Sequence, residues 1–188
     1  MNRRSFLYSL LGAAPAGLLA QAKSLNLKIT GLKTFVVNAG SVNWVYCKIY
    51  TNQGLVGLGE GSVTSKEATV TQAIMEHERY LIGKDPTDIE LLWQGMFRNP
   101  RWRGGPILNS AMAAIEIACW DIVGKALGRP VYDLLGGRLY ERLPAYANAW
   151  YGAGASLAEV AKAAGEVAAR GYRGLKLDPF GSVGSAFA

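Results

Sequence analysis

The sequence is poor in the residues from which self-sufficient catalytic sites are commonly built. It holds one histidine, His77, in 188 residues, which excludes a metal site made of several histidines within this chain. It has no P-loop, no Gly-x-Ser-x-Gly segment and no Cys-x-x-Cys pair. Its two cysteines, Cys47 and Cys119, lie in apolar patterns that predict buried free thiols rather than a disulfide framework.

Charged residues are also scarce, at 18% of the chain. Lys and Arg number 20 against 14 Asp and Glu, a formal net charge of +6. The basic residues are scattered, and their one local cluster, RNPRWR at 98–103, is interpreted as a solvated loop. Nucleic-acid binding therefore has little support, and the half-apolar composition is typical of a globular protein.

The first 22 residues have the three parts of a secretory signal. Arg3 and Arg4 precede an apolar run over 6–20, and a small-residue Ala-Gln-Ala site follows. The Arg-Arg-x-Phe-Leu start is typical of the twin-arginine type, so we expect export to the periplasm or beyond the cell, and a cytoplasmic protein if the signal is not used. A membrane-anchoring helix is the alternative, but the run is short and contains Pro15. No integral membrane span is expected after signal removal.

Residues 27–61 predict three antiparallel strands. The segment 27–37 is rich in β-branched residues, and 43–51 alternates apolar with polar side chains. A turn at 52–54, Asn-Gln-Gly, leads to a third strand over 55–61. The pattern indicates a meander.

Apolar residues at helical spacing predict three helices, over 66–82, 86–97 and 109–127. His77 lies on the apolar stripe of the first helix. There a histidine packed in or beside the core is expected more than a histidine that binds a metal. Asp85 and Pro86 are interpreted as the N-cap and first turn of the second helix. The third has the broadest apolar surface and is expected to be the most buried element.

A different architecture is predicted after about residue 140. Residues 143–150 and 172–180 are interpreted as buried strands. Ser156 and Glu159 have the spacing of a capping box, which marks the start of a helix between the two predicted strands. A strand, a helix and a strand form a βαβ unit with parallel strands. The predicted fold class is α+β: a three-stranded antiparallel meander with a helical bundle, followed by a partial βαβ.

Four segments are specific in combination. They are GLGEG at 57–61, the block from WRGGPILNSA to YDLLGG at 102–137, AYANAW at 145–150 and GLKLDPFG at 174–181. Together they resemble the mandelate racemase/muconate lactonizing group of the enolase superfamily, and within it the galactonate dehydratases.

The resemblance implies a division of the chain into three parts. These are a signal over 1–22, an enolase-type N-terminal capping domain over 23–140 and the start of a (β/α) barrel over 141–188. Such a barrel takes about 250 residues. We therefore expect a truncated member of the family, with the metal ligands and the acid–base histidines beyond residue 188.

The activity implied by the resemblance is that of a lyase. In the family, Mg²⁺ in the barrel stabilises the enediolate formed when the proton next to a carboxylate is removed, and dehydratases then lose the β-hydroxyl. The chain is expected to be the N-terminal part of a sugar-acid dehydratase, inactive and without Mg²⁺ on its own, whose full-length relatives are homo-oligomers. A non-catalytic capping domain or binding module is one alternative, and a racemase or cycloisomerase of the same group is another.

Two charged residues, Lys176 and Asp178, are the catalytic candidates. Side chains two apart leave the same face of a strand. Lys176 matches the first lysine of the family's Lys-x-Lys pattern, which faces the substrate carboxylate, and Asp178 stands where the second would be. This departure disfavours racemisation, which needs a base on each face. A simple pairing of the two charges at a strand end, with Asp178 capping a turn, is the alternative.

The substrate-binding candidates come from the capping domain. Asn43 and Trp44, in the loop 38–44, and the segment after Glu60 match the family's two substrate-closing loops. Arg103, before a glycine pair, is a further candidate contact. Strand packing for Trp44 and a surface charge for Arg103 are the alternatives. No metal ligand is assigned.

Overall fold

The computed structural model describes residues 25–40, 42–152 and 155–178, so the expected signal lies outside the described residues. The chain divides into two compact units between Gly137 and Arg138. The elements are β1 (Ile29–Asn38), β2 (Asn43–Thr51), β3 (Val56–Glu60), α1 (Glu67–Glu76), α2 (Glu78–Leu81), α3 (Ile89–Arg98), α4 (Gly105–Leu127), α5 (Val131–Leu134), β4 (Tyr146–Ala147), α6 (Leu157–Ala169) and β5 (Gly174–Leu175).

The first three strands form one antiparallel sheet in the order β1-β2-β3, which confirms the predicted meander. Alternation in β2 decides which face is covered. Val45, Cys47 and Ile49 are fully buried against the helices, while the residues between them lie on the outer face. The sheet is therefore half-buried, with one face toward the core.

Close backbone contact joins β3 to α4. A side chain at Gly57 or Gly59 would collide with the carbonyl oxygens of Ala118 and Ala114 on α4. Small residues on both elements therefore let the strand lie directly on the helix.

Helix α4 is the core helix, as predicted. Nine of its residues are buried, against three in α1 and three in α3. It is long and apolar enough to cross a membrane, but half of its most apolar stretch is buried in the core, as in the core helix of a soluble protein. It begins four residues before the predicted start, because Gly104 and Gly105 take positive φ angles of 81° and 79° and a proline follows in the first turn.

The prediction of one helix over 66–82 was wrong, because the helix breaks at His77. The His77 N–H donates to the carbonyl of Ile74 at 3.1 Å, while its own carbonyl accepts from Tyr80 and Leu81. His77 thus ends α1 and begins α2. The apolar stripe continues across the break, which is why periodicity alone does not reveal it.

The predicted start of the next helix was also wrong. The Asp85 carboxylate accepts from the Thr87 N–H at 2.9 Å and from its hydroxyl at 2.8 Å, which makes a turn. Helix α3 begins after this turn, with Asp88 as its N-cap. Asp followed two residues later by Thr suits a local turn as well as a cap.

The second unit contains the predicted parallel βαβ. Tyr146 pairs with Gly174 and Ala147 with Leu175, and both bonds of the Ser156 capping box are present on α6. The two strands were predicted to be long and buried, and this is wrong: each has two residues, and Tyr146 is 61% exposed. A two-stranded sheet with one helix has too little apolar area to bury its strands.

Candidate functional site

Two segments meet at one end of the first sheet: the β1–β2 loop and the segment that follows β3. The Val45 N–H donates to the Ser62 hydroxyl at 2.9 Å, and the Gly61 N–H donates to the Val45 carbonyl at 3.0 Å. These bonds hold the segment after β3 beside the start of β2, at the end of the sheet where the β1–β2 loop lies. We call this region the loop end of the sheet.

A polar cavity of about 270 Å³ lies at the loop end. The Asn38 amide nitrogen donates to the Asn43 amide oxygen at 3.1 Å across the turn. The Glu67 carboxylate accepts from the Ser65 N–H at 3.2 Å on the opposite side. Amide, hydroxyl and carboxylate groups in one cavity suit a ligand rich in hydroxyls. The lining residues are Asn38, Gly40, Val42, Asn43, Thr64, Ser65 and Glu67.

Trp44 and Glu60 lie near this cavity but do not line it. The Trp44 ring meets the Tyr46 ring edge-on, with centroids 6.3 Å apart, and remains 44% exposed. Tyr46 pairs across the strands with Glu60, which is exposed. The structure therefore brings Asn43, Trp44 and Glu60 to one end of the sheet, with only Asn43 in the cavity.

Arg103 lies elsewhere. Its guanidinium donates to the carbonyl of Arg98 at 2.9 Å and to that of Pro100 at 3.2 Å, so it covers the end of α3. It lines a separate cavity of about 280 Å³ together with His77 and Trp102. The structure does not bring Arg103 together with Asn43.

Burial shifts the pKa values of three side chains in the first unit, those of Cys47, His77 and Cys119. Burial raises the pKa of the Cys47 and Cys119 thiols to about 12, so neither is a thiolate at neutral pH. Burial lowers the pKa of His77, partly opposed by the charge of Glu76, which favours the neutral imidazole. The prediction that both cysteines are buried and free is confirmed.

In the second unit, Lys176 and Asp178 lie directly after β5, with exposed side chains. Their backbone is held by residues that follow β4. The Trp150 indole donates to the Lys176 carbonyl at 2.8 Å, and the Asp178 N–H donates to the Tyr151 hydroxyl at 2.8 Å. Trp150 is the last residue of the AYANAW segment, but no pattern in the sequence indicated that Trp150 or Tyr151 would bond to this backbone, because aromatic residues after a strand have no distinctive spacing.

The described residues do not fit a Mg²⁺ site by themselves. Among residues 25–40, 42–152 and 155–178, no group of three or more His, Cys, Asp or Glu side chains comes together. Asp178 is the one carboxylate directly after β5, and it follows Lys176 by two residues. Magnesium needs several oxygen ligands in near-octahedral positions.

Residues 21–136 match the family described as "Mandelate racemase / muconate lactonizing enzyme, N-terminal domain". A D-galactonate dehydratase of Variovorax paradoxus is 48% identical over 126 residues, covering 67% of this chain and 32% of the relative. The chain thus spans about a third of the length of that relative.

Solved structures agree with the sequence match. An enolase from Pantoea ananatis with bound D-gluconate and Mg is 40% identical, with a TM-score of 0.74, and the match covers 80% of this chain and 36% of that one. A member of the enolase superfamily from Salmonella Typhimurium is 32% identical, with a TM-score of 0.75 and coverages of 81% and 42%.

Proposed function

The chain belongs to the mandelate racemase/muconate lactonizing enzyme family through its N-terminal domain, and on this premise we propose that it forms the substrate-covering part of a sugar-acid dehydratase. One observation carries the proposal. The β1–β2 loop and the segment after β3 line one polar cavity, in a chain 48% identical over 126 residues to a protein named a D-galactonate dehydratase.

In this proposal, the loop end of the sheet contacts the hydroxyl groups of the substrate. The Asn43 amide can both donate and accept hydrogen bonds, and a hydroxyl group needs one partner of each kind. The hydroxyls of Thr64 and Ser65 in the same cavity have the same dual capacity. A substrate with several hydroxyls along its chain is favoured over an apolar acid.

Lys176 is assigned to the substrate carboxylate. A lysine ammonium near a carboxylate stabilises the negative charge that grows when the neighbouring carbon loses its proton. In dehydration a base takes the α-proton, a double bond forms between the α and β carbons, and the C–O bond to the β-hydroxyl breaks. The leaving hydroxide receives a proton from an acid and departs as water. Asp178, in place of a second lysine, supports dehydration over racemisation.

Mg²⁺ is named with the Pantoea relative, and in the proposed enzyme it would supply a positive charge at the substrate carboxylate. Because the described residues do not bring a ligand set together, this chain's proposed share of the reaction is substrate contact and charge stabilisation.

We also propose that the chain is exported by the twin-arginine route, on the pattern of residues 1–22. A reporter fused after Ala22 should leave the cytoplasm. Arg3→Lys with Arg4→Lys should stop it, because lysine lacks the planar guanidinium. Unchanged export of the lysine variant would contradict the twin-arginine route.

The proposed function is tested with a cap chimera, in which residues 25–137 replace the matching segment of the Variovorax paradoxus relative. The chimera is purified with Mg²⁺ and assayed for dehydration of aldonic acids that differ in hydroxyl stereochemistry. We expect turnover of at least one acid within about tenfold of the parent enzyme. A folded chimera that binds Mg²⁺ and dehydrates none of them would overturn the proposal.

A further inference from the structure

Among the strands of the described residues, β3 lies at an edge of the first sheet, whose order is β1-β2-β3. An edge strand presents N–H and C=O groups that another strand can pair with. The Gly61 N–H points to β2, where it donates to Val45. Because backbone groups alternate in direction along a strand, those of Val56 and Leu58 point away from β2, toward the open edge.

Two side chains of α4 reach this edge. The Leu58 N–H donates to the Asp121 carboxylate at 2.9 Å, and the Lys125 ammonium donates to the Val56 carbonyl at 2.7 Å. Lys125 and Asp121 also pair with each other at 2.7 Å. One backbone donor and one backbone acceptor of the edge are thus occupied by oppositely charged groups.

The pair can reach the edge because of the glycines in β3. Gly59 and Gly57 set the strand directly on Ala114 and Ala118. Asp121 and Lys125 follow Ala118 by three and seven residues, so they project from the next two turns of the same side of the helix. The close contact and the edge contact therefore depend on the same register between β3 and α4.

Asp121 and Lys125 differ from the other i,i+4 ion pairs among the described residues. Arg129 and Asp133 are 3.8 Å apart, and Lys162 and Glu166 are 4.0 Å apart. Exposed pairs of that kind contribute little to stability. The shorter bond and the two bonds to β3 indicate a role at the strand rather than in the helix.

We propose that Asp121 and Lys125 form an edge clamp that closes β3 to pairing with a strand of a second copy of this chain. An incoming strand would need the Leu58 N–H and the Val56 carbonyl, and it would have to separate the ion pair to reach them. The exposed apolar side chains of the outer face, Phe35, Trp44 and Leu58 among them, would otherwise favour such association.

The test compares the full chain with the double variant Asp121→Ala, Lys125→Ala. Amide exchange at Leu58 and Gly59 is measured by NMR over a tenfold range of protein concentration, about 20 to 200 μM. In the variant, the Leu58 amide should exchange at least about tenfold faster than in the native chain at low concentration, and slow down as concentration rises. In the native chain the exchange rate of the Leu58 amide should not depend on protein concentration. The Gly59 amide, in register with Cys47, reports that the sheet is intact.

Two further variants make the result specific. Lys162→Ala, Glu166→Ala removes an i,i+4 pair from α6 and should leave Leu58 exchange unchanged. Adding Leu58→Pro to the double variant removes the edge N–H, and sedimentation should then show no concentration-dependent association beyond that of the native chain.

Leu58 exchange that is unchanged by the double substitution, or faster at every concentration alike, would overturn the edge clamp. Association that persists with Leu58→Pro would overturn it too. If the double variant does not fold, the single variant Asp121→Ala, which removes the bond to the Leu58 N–H and the ion pair, is interpreted in the same way.

Discussion

At the scale of single residues, Asn43 is the side chain on which the proposed substrate contact depends. It lies in the loop-end cavity and is oriented by the amide of Asn38. Trp44 and Glu60 lie beside it on the outer face, whereas Arg103 is occupied by the carbonyls at the end of α3.

In the cap chimera, Asn43→Ala should raise KM for the preferred aldonic acid about three- to tenfold, with a smaller change in kcat. One neutral hydrogen bond contributes about 0.5–1.5 kcal/mol. Steady-state kinetics measure the effect. Gln53→Ala, in the turn at the opposite end of the sheet, is the control, and equal kinetics for both variants would contradict a substrate contact at Asn43.

Gly59 should tolerate no side chain, because a Cβ there would collide with the Ala114 carbonyl. We expect Gly59→Ala to lower the free energy of unfolding by about 1–3 kcal/mol or more. Urea denaturation measures this. Gly31→Ala, where a Cβ would meet nothing within 4 Å, is the matched control and should change stability far less.

His77 should make the stability of the first unit depend on pH. Because burial lowers its folded-state pKa, the unfolded chain takes up the proton first as pH falls. Stability should therefore decrease below a pH of about 6.5, the ordinary histidine value, and level off below the folded-state pKa. Denaturation at several pH values should show a shallower decrease for His77→Gln. An identical profile for both proteins would contradict this.

At the scale of elements, strong periodicity was enough to predict the meander, the core helix and the βαβ. Periodicity could not show where local hydrogen bonds interrupt a helix or delay its start. The break at His77 leaves the apolar stripe intact, and Asp85 makes a turn with the chemistry expected of a cap. The lengths of β4 and β5 depend on packing partners, which a strand's own residues do not specify.

The capping box of α6 permits a prediction at this scale. The Ser156 hydroxyl accepts from the Glu159 N–H, and the Glu159 carboxylate accepts from the Ser156 N–H at 2.8 Å. Ser156→Ala should destabilise this helix by about 1 kcal/mol. Amide exchange in α6 should accelerate about fivefold, while exchange in α4, in the other unit, stays the same. Unchanged exchange in α6 would contradict the capping role.

At the scale of the whole molecule, the family could be identified from the sequence because many of its characteristic residues lie in one continuous segment. Residues 102–137 contain the core helix and the glycines that shape both of its ends. The residues that identify the family are therefore the same ones that determine this part of the fold. The site was less predictable. Asn43 and Arg103 were grouped by family pattern, but Arg103 bonds to nearby carbonyls, and a sequence does not show which partner a guanidinium takes.

Proton exchange at the α-carbon is the most direct measurement of whether this chain covers the substrate of a sugar-acid dehydratase. The cap chimera is incubated with Mg²⁺ and D-galactonate in D₂O, and the α-proton signal is followed by NMR. We expect the signal to be lost as the dehydrated product appears, and Asn43→Ala to slow the loss at subsaturating substrate. A folded, Mg²⁺-binding chimera that leaves the α-proton of D-galactonate and of every other aldonic acid tested in place would contradict it.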